Sequence, residues 1–402
     1  MSSAIPFNSS PLPRFTVRIL YVLVLAILLI SHACSLVPSA PLLIRSPPSP
    51  RRRLASSPSR RRLPPFVTSL LASDSSHALP YPVRVAVLGG GNFALALAST
   101  VARNGVGTTL LVRDAETAAS INSDRRHPRY MSDLALPPAV SATADPEVAL
   151  KSATYIIHAV PVQYSRAFLR QIASHVPPHT PVLSASKGIE TTSLGFMNEI
   201  LEEELGTERE YAFLSGPSFA REIMECLATA VVVASTDKQL ASDLADLLSS
   251  PTFRVFTSSD VTGVEVGGSV KNVIAISSGI CEGLNLGMNA QASLVTRGCA
   301  EMRRLGLYMG AEPSTLAGLS GVGDTFGTCF GPLSRNRAFG VRLGKGETMA
   351  EILADTNEVA EGVDTAFALV DLIKGKSKGY RLDLKYPIIF GVRNILEGKL
   401  DA

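Results

Sequence analysis

The chain has 402 residues, 46% of them hydrophobic and 18% charged, which suits a folded globular protein with more than one core. Its formal charge of +3 is uneven: residues 1–80 hold nine Arg, no Lys and a single acid, Asp74, so they carry +8 and leave −5 for the remainder. A mildly acidic body argues against a nucleic-acid surface, and the five cysteines (34, 226, 281, 299 and 329) have neither CxxC nor any other metal-ligand spacing, so neither a metal site nor a disulfide framework is expected.

Arg14 and Arg18 precede the apolar run Ile19–Ile30, and Ser31-His-Ala-Cys-Ser35 supplies small residues beyond it. This is a signal-peptide pattern, too short for a comfortable membrane span. Residues 36–73 are rich in Ser, Pro and Arg and contain no acid. That composition builds no core and resembles a transit peptide. The two together predict a targeting leader at residues 1–80, import into a plastid of secondary origin, and no stable membrane span once the leader is removed. Residence in the endoplasmic reticulum or secretory pathway is the competing reading.

Val83–Leu88 is a short, β-branched apolar run of the kind buried in parallel sheets. Gly89-Gly-Gly-Asn-Phe-Ala94 follows at once, and Leu95–Ala102 reads as a helix. This GxGxxA turn predicts dinucleotide binding: Gly89 allows the tight turn, Gly91 lets a pyrophosphate approach the backbone, and Ala94 sets the helix-to-strand distance. Thr108–Val112 reads as the second strand, ending at Arg113-Asp114. A guanidinium at that strand end suits a 2′-phosphate and an acid suits ribose hydroxyls, so the expected cofactor is NAD or NADP; a solvated loop charge is the bland reading of Arg113. Tyr155–Val160 and Val182–Ser186 continue the alternation, and Lys187 sits at the carboxyl end of the latter, where ligands gather. His158 lies inside its strand and reads as core. Tyr211–Leu214 runs into Ser215-Gly-Pro-Ser-Phe-Ala220, and Ala228–Ser235 is a further strand.

From about Gly263 the pattern turns helical. Gly267-Gly268 precede Lys271, and Asn272–Ile280 reads as a buried helix. A lysine there either snorkels to water or donates a proton in a cleft. Leu319-Ser-Gly-Val-Gly-Asp324 interrupts the helical run and delivers an acid, Thr328 adds a hydroxyl, and Ser334-Arg-Asn-Arg337 is either a phosphate grip or a solvated basic turn. Glu351–Asp371 reads as helical, interrupted at Glu361-Gly362. The fold class expected is a Rossmann-like α/β domain with a parallel-rich sheet at 81–262, then an all-α substrate and catalytic domain at 263–402 whose apolar helices either form one core or pair in a homodimer.

The motifs GGGNFALALA, SASKGIE, LSGPSFAREI, GGSVKNVIAI, GLSGVGDTFGTC, SRNR and VAEGV, in this order from Val83 onward, resemble the NAD(P)-dependent glycerol-3-phosphate dehydrogenases of bacterial and plastid type. The resemblance implies hydride transfer between sn-glycerol 3-phosphate and dihydroxyacetone phosphate, for glycerolipid supply. It implies Lys271 as proton donor and acceptor and Lys187 as the group that polarises the carbonyl, with Asp324 and Thr328 completing the reacting site. Ser334, Arg335 and Asn336, helped by Gly216 and Ser218, would take the substrate phosphate. Asn92, Phe93, Arg113, Tyr130, Lys187, Ala220, Arg335, Val359 and Glu361 fall on cofactor-side positions. A sister 3-hydroxy acid or ketopantoate dehydrogenase, and a non-catalytic dinucleotide sensor, are the alternatives.

Overall fold

In the computed structural model, which describes residues 82–355, 360–376, 379 and 381–402, strands and helices alternate as far as Ser258. The order is β1 (Arg84–Leu88), α1 (Asn92–Arg103), β2 (Gly107–Leu111), α2 (Ala115–Asp124), β3 (Val140–Thr143), α3 (Pro146–Leu150), β4 (Tyr155–His158), α4 (Val162–Ile172), β5 (Val182–Ser184), α5 (Met197–Leu205), β6 (Tyr211–Ser215), α6 (Ala220–Met224), β7 (Thr229–Ala234), α7 (Lys238–Leu248) and β8 (Phe253–Ser258). The strands form one eight-stranded sheet, β3-β2-β1-β4-β5-β6-β7-β8. All pairings are parallel except β6 with β7. Sequence order reverses between β1 and β4, and a crevice opens at the carboxyl ends of strands at such a point.

Both faces of the central strands are covered, which explains their unbroken apolar runs. Val85 and Val87 pack with Leu95, Leu97 and Val101 of α1, while Ala86 and Leu88 face Leu169 of α4 and Ile200 of α5. His158 is fully buried on β4, as a core residue should be, and burial drives its pKa down to about 3.

After Ser258 the described chain is helical: α8 (Val261–Gly283), α9 (Met288–Tyr308), α10 (Pro313–Ala317), a π-helical turn (Leu319–Gly323), α11 (Asp324–Phe330), α12 (Arg335–Gly344), α13 (Met349–Asp355), α14 (Glu361–Lys376), α15 (Leu382–Lys385) and α16 (Pro387–Leu396). Helix α8 is buried on nearly every side, with Val270, Val273 and Ile274 in a second core shared with Leu369 of α14 and Ile389 of α16. It starts earlier than its sequence pattern indicates, because Asp260 caps it through the Gly263 N–H at 2.8 Å. Gly267 and Gly268 therefore lie inside the helix rather than ahead of it.

The glycines of α8 serve close approach. A Cβ on Gly279 would stand 2.1 Å from the Arg337 carbonyl, and one on Gly340 would stand 2.0 Å from that of Ile276. Gly283 and Gly344 meet in the same way one turn on, so α8 and α12 cross with their backbones in contact. The glycines of 319–323 do not end the helical run either. They widen it into a π turn, with Gly323 N–H bonded to Gly318 O at 3.0 Å, and Asp324 emerges as the first residue of α11. Among the described residues no helix is long and apolar enough to cross a membrane.

Candidate active site

The turn after β1 fits a dinucleotide. Gly89 has φ +117°, and a Cβ there would lie 2.9 Å from the Ala159 carbonyl. Gly91 caps α1 with no side-chain hydrogen bond, and the space a Cβ would occupy there is open to 4 Å. The first-turn N–H groups of α1 are thus presented to an anion that can come close to the backbone. The Asn92 Oδ1 is buried without a hydrogen-bond partner, a polar atom waiting for a ligand. Ala94 is fully buried against the sheet, where its methyl is accommodated. Phe93 is partly buried, its ring centroid 6.0 Å from the Lys187 ammonium.

Arg113 is exposed just beyond β2. Asp114, considered for the ribose, is occupied with capping α2: its oxygens accept from Thr117 N at 2.7 Å and Thr117 Oγ1 at 3.0 Å. Tyr130 stacks at a tilt on His127, with centroids 5.0 Å apart, and the His127 Nε2 edge borders Gly90. The Tyr130 segment therefore flanks the glycine turn. Val359 and the leader lie outside the described residues.

Three segments far apart in sequence meet at one carboxylate. Asp324, 2% exposed, accepts from Lys271 Nζ at 2.6 Å through one oxygen and from Lys187 Nζ at 2.8 Å through the other. Thr328, one turn along α11, accepts a further hydrogen bond from Lys271 Nζ at 3.1 Å. Lys187 also donates to the Gly216 carbonyl at 3.3 Å, and Ser218 Oγ donates to the same oxygen at 2.8 Å. Gly216 has φ +134°, and a Cβ there would strike Val231. Ala220 opens α6 directly after this turn.

The charges are unbalanced in a useful direction. Burial lowers the Lys271 pKa to about 8; the Asp324 carboxylate opposes that shift and the Lys187 ammonium adds to it. Burial pushes the Asp324 carboxyl up, but the two ammoniums outweigh it and hold the group below its ordinary value. Glu361 at the start of α14 is raised by burial, against the fields of Arg335, Lys271 and Lys187. A lysine that can hold or release its proton near neutral pH is suited to general acid–base work on a carbonyl and its alcohol.

The basic cluster divides its labour. Arg337 is committed to Glu282, at 2.7 and 2.5 Å. The Ser334 Oγ caps α12 by accepting from Arg337 N at 3.2 Å, and Asn336 Oδ1 accepts from Gly362 N at 3.0 Å. Arg335 is thereby the first residue of a capped ten-residue helix, a place where anions are favoured. Sequence reasoning passed over Ser269, whose signal was no more than its place two residues before Lys271. No group of three or more His, Cys, Asp or Glu able to hold a metal occurs among the described residues.

Comparison with known proteins agrees with this geometry. Residues 84–241 match the family described as NAD-dependent glycerol-3-phosphate dehydrogenase N-terminus, and residues 260–402 match the corresponding C-terminus. The chain is 47% identical over 335 residues to the chloroplastic glycerol-3-phosphate dehydrogenase [NAD(+)] 2 of Arabidopsis thaliana, covering 83% of this chain and 78% of that protein. It is 46% identical over 291 residues to the glycerol-3-phosphate dehydrogenase [NAD(P)+] of Nitratidesulfovibrio vulgaris strain Hildenborough, covering 72% and 88%. The crystal structure of glycerol-3-phosphate dehydrogenase from Coxiella burnetii superposes with a TM-score of 0.75 at 33% identity, covering 80% of this chain and 97% of that one. A turn built for a dinucleotide, two lysines on one buried acid and two family matches that span most of the chain lead to one conclusion: the chain belongs to the NAD-dependent glycerol-3-phosphate dehydrogenase family.

Proposed function

We propose that the protein interconverts dihydroxyacetone phosphate and sn-glycerol 3-phosphate with NADH or NADPH. The observation that carries this reading is the bridge from Lys187 through Asp324 to Lys271, with the Lys187 ammonium 6.0 Å from the ring of Phe93, two residues after Gly91. A nicotinamide dinucleotide held at the Gly89–Ala94 turn would supply the hydride for the carbonyl carbon. As charge grows on the carbonyl oxygen, Lys271 delivers its proton there, and the Lys187 ammonium beside it stabilises the developing charge. Asp324 holds both ammoniums in register. Arg335, at the start of α12, takes the phosphate with Asn336 alongside, and binding there orients the distant carbonyl. Ser218 and the Gly216 turn support the same substrate, while Phe93, Arg113, Tyr130, Ala220 and Glu361 line the cofactor side.

The capping role of Asp114 and the exposure of Arg113 support use of NADPH as well as NADH. The test is oxidation of each cofactor by protein lacking residues 1–80, with dihydroxyacetone phosphate as substrate and Lys271→Ala as control. Turnover that disappears in the control supports the reading; no turnover from folded, cofactor-binding protein turns the choice to a sister dehydrogenase or a sensor. The composition of the leader and the chloroplastic relatives support plastid import, removal of roughly the first seventy to eighty residues, and a role in supplying glycerolipid precursor. A fluorescent fusion of residues 1–80 that stays in the endoplasmic reticulum overturns that part.

A further inference from the structure

We propose that Ser269 is a positioning residue that locks the Lys187 loop onto the helix carrying Lys271, and so sets the separation of the two ammoniums. The inference rests on the reaction assigned above. Ser269 is 1% exposed, two residues before Lys271 on α8. Its Oγ accepts from the Gly188 N–H at 3.1 Å and shares its own hydrogen between Gly188 O at 3.1 Å and Glu265 O at 2.8 Å. Gly188 follows Lys187 directly. It is buried, has φ +141°, and a Cβ there would stand 2.9 Å from Val162 and 3.4 Å from the Thr365 hydroxyl. Its main chain is confined, and both of its polar groups face one hydroxyl.

The neighbouring positions of α8 dock the other parts of the site. A Cβ on Gly268 would meet Lys187 Cγ at 3.4 Å, and one on Gly267 would meet the Ser320 carbonyl at 2.6 Å, in the π turn that leads into Asp324. Gly267, Gly268 and Ser269 thus receive, side by side, the segment that bears the acid, the stem of one lysine and the main chain behind it. Only Ser269 does so through a removable group. Deleting its hydroxyl leaves a buried N–H and a buried carbonyl without that partner, and the loop relaxes away from α8.

The test compares Ser269→Ala with the near-isosteric pair Ser269→Thr and Ser269→Val in the full enzyme. Threonine in a helix can still bond the carbonyl four residues back, as valine cannot. We expect Ser269→Ala and Ser269→Val to lower kcat for dihydroxyacetone phosphate about tenfold, since small misplacements of reacting groups cost rate steeply. Ser269→Thr should stay within about threefold of wild type, and the NADPH Kd read by fluorescence should move less than about twofold in all three. The charged and titratable groups facing Lys271 are Asp324, Lys187, Glu361 and Cys329. Withdrawing Lys187 from that set raises the Lys271 pKa, so the alkaline limb of kcat shifts upward in the Ala and Val variants. Competitive acetylation read by mass spectrometry reports the same rise without any substrate. Inactive wild-type enzyme therefore defeats the assigned reaction, and the acetylation profile still judges Ser269. Equal behaviour of Thr and Val, or an Ala variant with wild-type kcat and Lys271 titration, overturns the proposal.

Discussion

Replacing Asp324 by Asn removes the one negative group that both lysines share while keeping shape and some hydrogen bonding. At an effective dielectric near 20, a carboxylate about 4 Å from an ammonium contributes roughly 4 kcal/mol, or about three pKa units. Asp324 meets Lys271 at 2.6 Å in a buried setting, so this is a conservative figure. Without it the Lys271 pKa falls from about 8 toward roughly 5, because burial and the Lys187 charge then act unopposed. At a pH of about 7.5 most of the wild-type lysine is protonated, but well under one part in a hundred of the variant's would be. We therefore expect kcat for ketone reduction to drop by about two orders of magnitude at that pH, and to recover about tenfold for each unit of acidification. The assay is steady-state NADPH oxidation from pH ~5.5 to ~8.5, with cofactor Kd measured in parallel as a check on folding. A variant that binds cofactor but keeps a rate within about threefold of wild type refutes the reasoning. So does one whose profile stays flat toward acid.

Arg335→Ala should raise KM for dihydroxyacetone phosphate roughly ten- to a hundredfold, matching about 1.5–3 kcal/mol for charge-assisted hydrogen bonds, and a competition assay with inorganic phosphate should lose its effect on the variant. Gly89→Ala forces a side chain into a left-handed turn against the Ala159 carbonyl; a destabilisation of about 1–3 kcal/mol should show as a lower Tm, and an unchanged Tm counts against the strained turn. Glu265, whose carboxyl accepts the Asn198 N–H at 3.0 Å, is raised by burial to about 8. With its folded pKa above its unfolded value, the stability it contributes is complete below the unfolded pKa and declines as pH climbs through about 8. Glu265→Gln should flatten that decline and melt above wild type in alkaline buffer, whereas parallel melting curves would remove Glu265 from the account.

The parts of the protein that depend on local pattern were readable in its sequence. Runs such as Val83–Leu88 and Tyr155–His158 are apolar because both sheet faces are covered, and the strand-to-glycine turn announces itself by adjacency. The chemistry of Lys187, Lys271 and Asp324 was readable as residue type, but their junction was not. It joins positions 53 and 137 residues apart and is fixed by how α8, the π turn and the β5 edge pack. The same limit applies to Arg337 and Asp114. Each has the right chemistry for a ligand, and each is taken up by a neighbour, Glu282 in one case and the start of α2 in the other. The full length of α8 is not legible in the sequence because glycine is a poor helix former, and only tertiary contact shows why it is kept.

The backbone contact between α8 and α12 has a consequence for how far the two helices can move. No side chain stands between Gly279 and Gly340 to change rotamer, so the main chains of α8 and α12 are held at a fixed separation where they cross. The helices that carry Lys271 and Arg335 therefore cross at a point that side-chain repacking cannot adjust. Any substitution that adds a side chain at Gly279 or Gly340 must push the two helices apart.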